Sequence, residues 1–102
     1  MIRATFDRDF SGFTLSGHAG YAEAGEDIVC AAVSAMTNFA VNGAEAFGAE
    51  AEVSAEGEEA QVSYRLCKPC EEASKLISVF YEELRQLQKQ YPAYVRVQKN
   101  SK

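Results

Sequence analysis

The spacing of apolar residues changes several times along the chain, and the short alternating segments predict strands. Residues 2–9 and 10–19 are rich in Phe, Thr, Ile and Leu around a polar patch, which is typical of a β-hairpin. Residues 49–55 and 60–66 form a second such pair, joined by an acidic connection in which Gly57 suits a turn. We therefore predict two hairpins.

A longer segment after the first hairpin has apolar residues at every third or fourth position, which predicts a buried helix. Asp27 can cap it, because its carboxylate can accept the unpaired N–H groups of the first turn. The helix extends to Phe47, where Gly48 can end it. Gly43 either weakens this helix or marks close packing against a neighbour. The apolar positions are Ile28, Val29, Ala32, Val33, Met36, Phe39 and Ala40.

A second predicted helix follows the second hairpin. Its apolar face consists of Ala73, Leu76, Ile77, Phe80, Leu84, Leu87 and Tyr91. Pro92 ends this helix, and residues 93–98 alternate well enough for a final strand. The predicted order is ββαββαβ, a mixed β-sheet carrying two helices, which places the chain in the α+β class.

The composition is that of a globular protein. The 102 residues are 47% hydrophobic and 25% charged, and a chain of this length can bury a real core, so we expect one domain over residues 1–102. No apolar run approaches the about 20 residues needed to cross a bilayer, and the first ten residues lack the apolar core of a secretory signal. We therefore expect a cytoplasmic protein with no membrane partner and mainly reduced cysteines.

The net charge of −5 is unevenly distributed. No Lys or Arg occurs between Arg8 and Arg65, an interval that contains ten acidic residues. Such a surface repels nucleic-acid phosphates and attracts cationic partners. Solubility alone explains the pattern, a basic peptide partner is the functional alternative, and direct nucleic-acid binding is not expected.

The main candidates for chemistry are His18, the only histidine, and Cys30, twelve positions later. A cysteine in the first turn of a helix is favoured as a thiolate. The helix-end field, worth about 0.5–1 kcal/mol, lowers a thiol pKa by less than one unit. An imidazolium partner would have to supply most of the lowering of the thiol pKa that ionisation at neutral pH requires. His18 is the only residue that can provide an imidazolium.

The residues around this pair suggest supporting roles. Between the two lies a small-residue segment that we predict to be a mobile loop over the site, containing Gly20, Tyr21 and Gly25. Ser34 lies four residues after Cys30, on the same face of the predicted helix. Asp27 can cap the helix, orient the imidazole, or do both.

Each candidate also has an ordinary structural explanation. A cysteine among small apolar residues is usually a buried hydrophobic residue, and a lone histidine usually lies at the surface or is hydrogen-bonded in a core. Capping alone accounts for Asp27. From composition and spacing, both explanations stay open.

The stretch "SGHAGYAEAGEDIVCAAVSA", residues 16–35, closely resembles the signature of the bacterial ribosomal-processing cysteine protease family, often called Prp. That signature has a Gly-His pair, a short acidic loop of small residues, and an Asp-x-Val-Cys-Ala-Ala-x-Ser run. The resemblance extends over the chain, with the C-terminal half matched in pattern only.

The resemblance implies a function and roles for the site residues. Members of that family are homodimeric endopeptidases that remove an N-terminal extension from large-subunit ribosomal protein number twenty-seven, cutting after aromatic residues. By this resemblance Cys30 is the nucleophile, His18 the general base and acid, Asp27 a group that positions or tunes the pair, and Ser34 a residue lining the site. No metal or cofactor is required. The substrate would be a basic ribosomal protein tail, which agrees with the charge pattern.

Backbone N–H groups near Cys30, at the start of the helix, are expected to form an oxyanion hole. Aromatic side chains could contact the aromatic substrate residues, although helical spacing makes most of them core or dimer surface. These are Tyr21, Phe39, Phe47, Phe80, Tyr81, Tyr91 and Tyr94.

A second cysteine motif, "CKPC" at Cys67–Cys70, is a CxxC pair outside the family signature. Thioredoxin-like chemistry needs this motif between a strand and a helix, a condition that is met here. It also needs an earlier βα unit, whereas the motif here follows an acidic hairpin. A zinc site needs about four ligands, and only His18 and Cys30 are left to complete one. A structural role is favoured over redox or metal chemistry.

Two functions of other classes compete with a cysteine peptidase. The first is a non-catalytic ribosome-associated adaptor that binds basic protein tails through its acidic face. The second is a thiol-redox or zinc protein centred on Cys67 and Cys70.

Overall fold

The computed structural model describes residues 1–22, 27–56 and 61–100, which form five strands and two helices. Their order along the chain is β1 (Ile2–Phe6), β2 (Gly12–Ser16), α1 (Ile28–Ala46), β3 (Ala51–Glu56), β4 (Gln61–Leu66), α2 (Glu71–Gln90) and β5 (Val95–Lys99). The predicted ββαββαβ order and the α+β class are therefore confirmed. The predicted turn at Gly57 lies outside the described residues.

The strands form one mixed sheet in the order β3-β4-β2-β1-β5. Strand β1 pairs antiparallel with β2 and parallel with β5, and β4 pairs antiparallel with both β2 and β3. In the register of the central pair, Arg3 lies opposite Ser16. The end of β2 therefore lies beside the start of β1, and the chain leaves the sheet there toward His18.

Alternate residues of the central strands and one face of each helix share a single core. Ile2, Ala4 and Phe6 of β1 are buried, as alternation requires. The rings of Phe6, Phe13 and Phe80 meet in this core, with centroids 5.2–5.5 Å apart. Burying a side chain of this size stabilises the fold by about 1.5–3 kcal/mol relative to leaving it exposed.

Helix α1 begins and ends where the sequence predicts. The Asp27 carboxylate accepts hydrogen bonds from two N–H groups of the first turn, and Gly48 has the left-handed φ of +90° that ends the helix. A side chain at Gly43 would come within 2.6 Å of the Leu76 Cδ2 atom. Gly43 therefore marks close packing between the two helices, one of the two predicted explanations.

Helix α2 buries Ala73, Ile77, Phe80 and Leu84, four of the residues in its predicted apolar face. It begins after Cys70 and its last helical residue is Gln90, so Pro92 lies just beyond it. In the described residues, neither helix is long and apolar enough to cross a lipid bilayer.

Candidate active site

The turn that follows β2 depends on a close approach between two parts of the backbone. Gly17 has a φ of +87°, and a side chain there would overlap the carbonyl oxygen of Met1. Only glycine fits both conditions without strain. The turn leaves the His18 side chain exposed and buries Ala19, which is 3% exposed.

Cys30 lies in the first turn of α1, half-buried and beside this turn. Its Sγ atom accepts a hydrogen bond from the backbone N–H of Ala19, with a nitrogen–sulfur distance of 3.4 Å. The residue that follows the candidate histidine thus contacts the candidate nucleophile directly. The end of β2 and the start of α1 therefore lie beside each other.

The Asp27 carboxylate joins the helix start to the segment after β2. Its Oδ1 atom accepts from the N–H groups of Val29 at 3.0 Å and Cys30 at 2.9 Å. Its Oδ2 atom accepts from the N–H groups of Tyr21 at 3.1 Å and Ala22 at 3.4 Å. The predicted capping role is confirmed, and the carboxylate is engaged by backbone groups rather than by the imidazole of His18.

These hydrogen bonds also set the charge of the group. The hydrogen bond from the Cys30 N–H is the largest cause that lowers the pKa of the Asp27 carboxyl below its ordinary value. The other three N–H donors act in the same direction. At neutral pH the helix start therefore carries a full negative charge next to Cys30.

His18, Cys30 and Ser34 lie where two open grooves meet. One groove, of about 540 Å³, extends between α1 and the ends of β3 and β4. The other, of about 610 Å³, extends over the helix start toward Gly20 and Ala22. All three residues line both grooves. In the described part of the chain, no hydrogen bond joins the His18 ring to the Cys30 thiol.

The predicted loop residues have different placements. Gly20 has a φ of +72° with open space around it. The Tyr21 ring packs edge-on against Tyr91 and Tyr94, with centroids 5.5 and 5.2 Å away. Gly25 lies outside the described residues. The mobility of this loop stays a prediction.

The expected oxyanion donors at the helix start are already engaged. The N–H groups of Val29 and Cys30 bond to the Asp27 carboxylate, and that of Ala31 bonds to the Asp27 carbonyl oxygen at 3.0 Å. The Ala19 N–H could not be predicted from side-chain patterns, because every residue except proline carries a backbone N–H. The Gly17-His18 pair was the available signal that the backbone makes an unusual turn there.

The second cysteine motif lies apart from these residues. Cys67 is exposed after β4, and Cys70 occupies the N-cap position of α2 without a side-chain capping bond. Within residues 1–22, 27–56 and 61–100, no three His, Cys, Asp or Glu side chains are grouped to hold a metal ion. A zinc site centred on "CKPC" therefore has no third ligand among these residues.

Substituting Gly17 by alanine is expected to destabilise the protein more than the same change at Gly20. Both positions have positive φ, which is strained by about 1–3 kcal/mol for other residues, but only at Gly17 would the added methyl meet a backbone atom. Urea unfolding of both variants measures the difference. Equal losses of stability would show that the approach to Met1 is not tight.

Comparison with known proteins adds to this geometry. The family model described as cysteine protease Prp matches residues 1–96. The ribosomal processing cysteine protease Prp of Bacillus subtilis (strain 168) is 46% identical over 41 residues. That segment is 40% of this chain and only 37% of the Bacillus protein.

Two solved structures share the fold. Prp from S. aureus, an essential ribosomal processing protease in complex with a covalently linked product peptide, superposes with a TM-score of 0.90 at 21% identity, covering 98% of this chain and 100% of that one. SMU.848 from Streptococcus mutans superposes with a TM-score of 0.76 at 28% identity, covering 97% and 93%. With the family model matching nearly the whole length, the chain belongs to the cysteine protease Prp family.

Proposed function

We propose that this protein is a cysteine endopeptidase in which Cys30 is the nucleophile and His18 the general base and acid. The observation that carries the proposal is the placement of the Cys30 sulfur. It lies in the first turn of α1, accepts the N–H of Ala19, and shares two grooves with His18. A neighbouring imidazole and a hydrogen bond donated to the sulfur are both features that activate a thiol.

The reaction follows from these groups. His18 takes the thiol proton, and the Cys30 sulfur attacks the scissile carbonyl carbon to form a tetrahedral adduct. Collapse of the adduct breaks the C–N bond, and His18 gives the proton to the leaving amine. Water, deprotonated by His18, then hydrolyses the thioester. Ser34 lines both grooves, which supports a role for it in contacting a bound substrate.

We further propose that the substrate is the N-terminal extension of large-subunit ribosomal protein number twenty-seven, cut after an aromatic residue. The family resemblance supports the identity of the substrate. The charge of the chain supports a basic substrate. The interval between Arg8 and Arg65 contains ten acidic residues and no Lys or Arg, so it attracts a basic tail. The S. aureus relative, solved with a covalently linked product peptide, supports a covalent route.

A peptide assay tests this function. The substrate carries aromatic residues followed by Ala and lysines, and we expect the wild-type protein to cleave it after an aromatic residue. Cys30→Ala should yield no product, because Cys30 is the only thiol among the described residues that line the grooves. The matched control, with Cys67→Ser and Cys70→Ser together, should cleave at the wild-type rate. Cleavage by Cys30→Ala would exclude this mechanism.

The same assay separates the peptidase from the non-catalytic adaptor. An adaptor would bind the basic peptide through its acidic surface, so its affinity would fall steeply with salt. That binding would survive Cys30→Ala, and no product would form at any enzyme concentration. Salt-sensitive binding without product would favour the adaptor.

The protein is also proposed to form a homodimer, as the family resemblance implies. An apolar groove between α1 and α2 is lined by Met36, Phe39, Leu76 and Val79, and it offers a surface for a second copy. Phe39 is 72% exposed and Val79 55%, and apolar side chains exposed together often mark an interface.

Phe39→Asp is therefore expected to convert a dimer into a monomer, because it would bury an unpaired carboxylate. Asn42→Asp is the matched control, since Asn42 is exposed on the same helix and outside this groove. Light scattering after size exclusion measures both masses. Retention of the dimer by Phe39→Asp would place the interface elsewhere.

We propose that residues 1–102 act as one cysteine-protease domain, in the cytoplasm and without a cofactor. The described elements share one core, and the proposed ribosomal substrate is made in the cytoplasm. The proposed chemistry needs only a thiol, an imidazole and water.

A further inference from the structure

The negative charge that forms at Cys30 needs a hydrogen-bond donor, and the helix start is poorly placed to supply it. The Asp27 carboxylate occupies the N–H groups of Val29 and Cys30. An ionised carboxylate at that position also offsets the positive end of the helix dipole. Stabilisation of an anion at the sulfur must therefore come from elsewhere.

We infer that the backbone N–H of Ala19 is a catalytic donor of the proposed peptidase. It donates to the Cys30 Sγ atom at 3.4 Å in the resting protein, and a hydrogen bond of this kind strengthens when negative charge develops on its acceptor. When the sulfur attacks the scissile carbonyl carbon of the substrate, the negative charge moves to the oxygen bonded to that carbon. We assign the same Ala19 N–H as a donor to that oxygen.

The local structure holds this N–H in place on both sides. Before it, the backbone passes Met1 so closely that only Gly17 fits. After it, the N–H of Tyr21 is bound by Asp27, and the Tyr21 ring packs against Tyr91 and Tyr94. The Ala19 side chain is 3% exposed, so the peptide is fixed by packing as well. A donor held in this way needs little reorganisation during the reaction.

The proposed reaction balances in atoms and charge with the Ala19 N–H as a donor. The sulfur–carbon bond forms as the carbonyl π electrons move to oxygen, and the C–N bond breaks as they return. The proton needed by the leaving amine comes from His18. The Ala19 N–H keeps its own proton throughout and acts only as a donor, so no further reactant is required.

Replacing one amide by an ester tests the inference. The chain is assembled by ligating a synthetic 1–29 thioester to a fragment that begins at Cys30, with L-lactic acid in place of Ala19. This keeps the methyl group and replaces the N–H by an ester oxygen, which also makes the His18 carbonyl a weaker acceptor. The matched control has glyceric acid in place of Ser11, whose N–H bonds to the Asp9 carboxylate at 3.1 Å and which lines neither groove. Circular dichroism establishes that both proteins fold.

We expect the Ala19 ester to lower kcat by about 10²–10³-fold, the usual effect of losing one oxyanion donor, with KM nearly unchanged. It should also slow alkylation of Cys30 by iodoacetamide near neutral pH, while the Ser11 ester stays close to the wild-type protein in both assays. Wild-type kcat and alkylation in the Ala19 ester would overturn the inference. The alkylation assay needs no peptide cleavage, so it decides the question even if the proposed peptidase activity fails.

A measurement on the unmodified chain covers the case in which the ester protein does not fold. In the protein labelled with ¹⁵N-alanine, the Ala19 amide proton should move downfield as the Cys30 thiol ionises. Alkylation of Cys30 should abolish that movement. An Ala19 amide proton shift that does not change when the Cys30 thiol ionises would contradict the inference.

Discussion

Replacing His18 by alanine is expected to lower kcat/KM for a cleaved peptide by about 10²–10⁴-fold, the range that general acid–base catalysis supplies. The imidazole is the only one in the sequence, so no other histidine can take over. The side chain is exposed, so its removal should change the free energy of unfolding by less than about 0.5 kcal/mol. Loss of activity without loss of stability is the expected result.

Steady-state kinetics and urea unfolding of His18→Ala test this prediction together. His18→Gln is a useful companion, because it keeps hydrogen-bonding capacity but cannot shuttle a proton. Both variants should be impaired to a similar extent. Wild-type turnover in either variant would remove His18 from the mechanism, and a large loss of stability would make its role structural.

Removing the Asp27 carboxylate is expected to have the second-largest effect, because one group holds two segments together. Asp27→Ala loses hydrogen bonds from four backbone N–H groups, two in the helix start and two in the segment after β2. Misplacement of catalytic groups by about 1 Å can lower a rate about 10²-fold. We expect kcat/KM to fall by roughly that factor and the thermal midpoint to fall as well.

Asp27→Ser separates the two functions of the carboxylate. Serine is a good N-cap, but one hydroxyl oxygen cannot also accept from Tyr21 and Ala22. We therefore expect this variant to regain most of the stability lost in Asp27→Ala and little of the activity. Full activity in Asp27→Ser would mean that the connection to Tyr21 and Ala22 does not order the site.

The pH dependence of stability gives a further check on Asp27. Its pKa is lowered by folding, the N–H of Cys30 being the largest cause, from an ordinary value of 3.8. The folded state therefore favours the ionised form, and its stabilising contribution is complete above that value. The contribution is lost as the pH falls through the lowered pKa of the folded state. The stability difference between wild type and Asp27→Ala should shrink in that acidic range.

Local features of the fold were predictable because they depend on residues close in sequence. The helical spacing before Phe47, the cap at Asp27 and the stop at Gly48 each involve contacts within one or two turns. The same is true of Ser34, which lies one turn from Cys30 and lines the same grooves. The antiparallel pairs β1 with β2 and β3 with β4 followed from short alternating segments that are close in sequence.

Features that depend on distant pairings could not be predicted in this way. The parallel pairing of β1 with β5 joins the two ends of the described chain, and nothing in either strand's own pattern specifies its neighbour. The hydrogen bond from Ala19 to the Cys30 sulfur depends on the antiparallel register of β1 and β2 and on the approach of Gly17 to Met1. The motif predicts His18 and Cys30 as the candidate residues, and the sheet determines which backbone groups surround them.

The central claim is that the Cys30 sulfur is an activated nucleophile that depends on His18. Its most direct test is the pH dependence of Cys30 alkylation by iodoacetamide, in a protein with Cys67→Ser and Cys70→Ser. We expect rapid alkylation below pH about 7, where an unperturbed thiol hardly reacts, and loss of that reactivity in His18→Ala. A rate that rises only above pH about 8, and is the same with and without His18, would contradict the account.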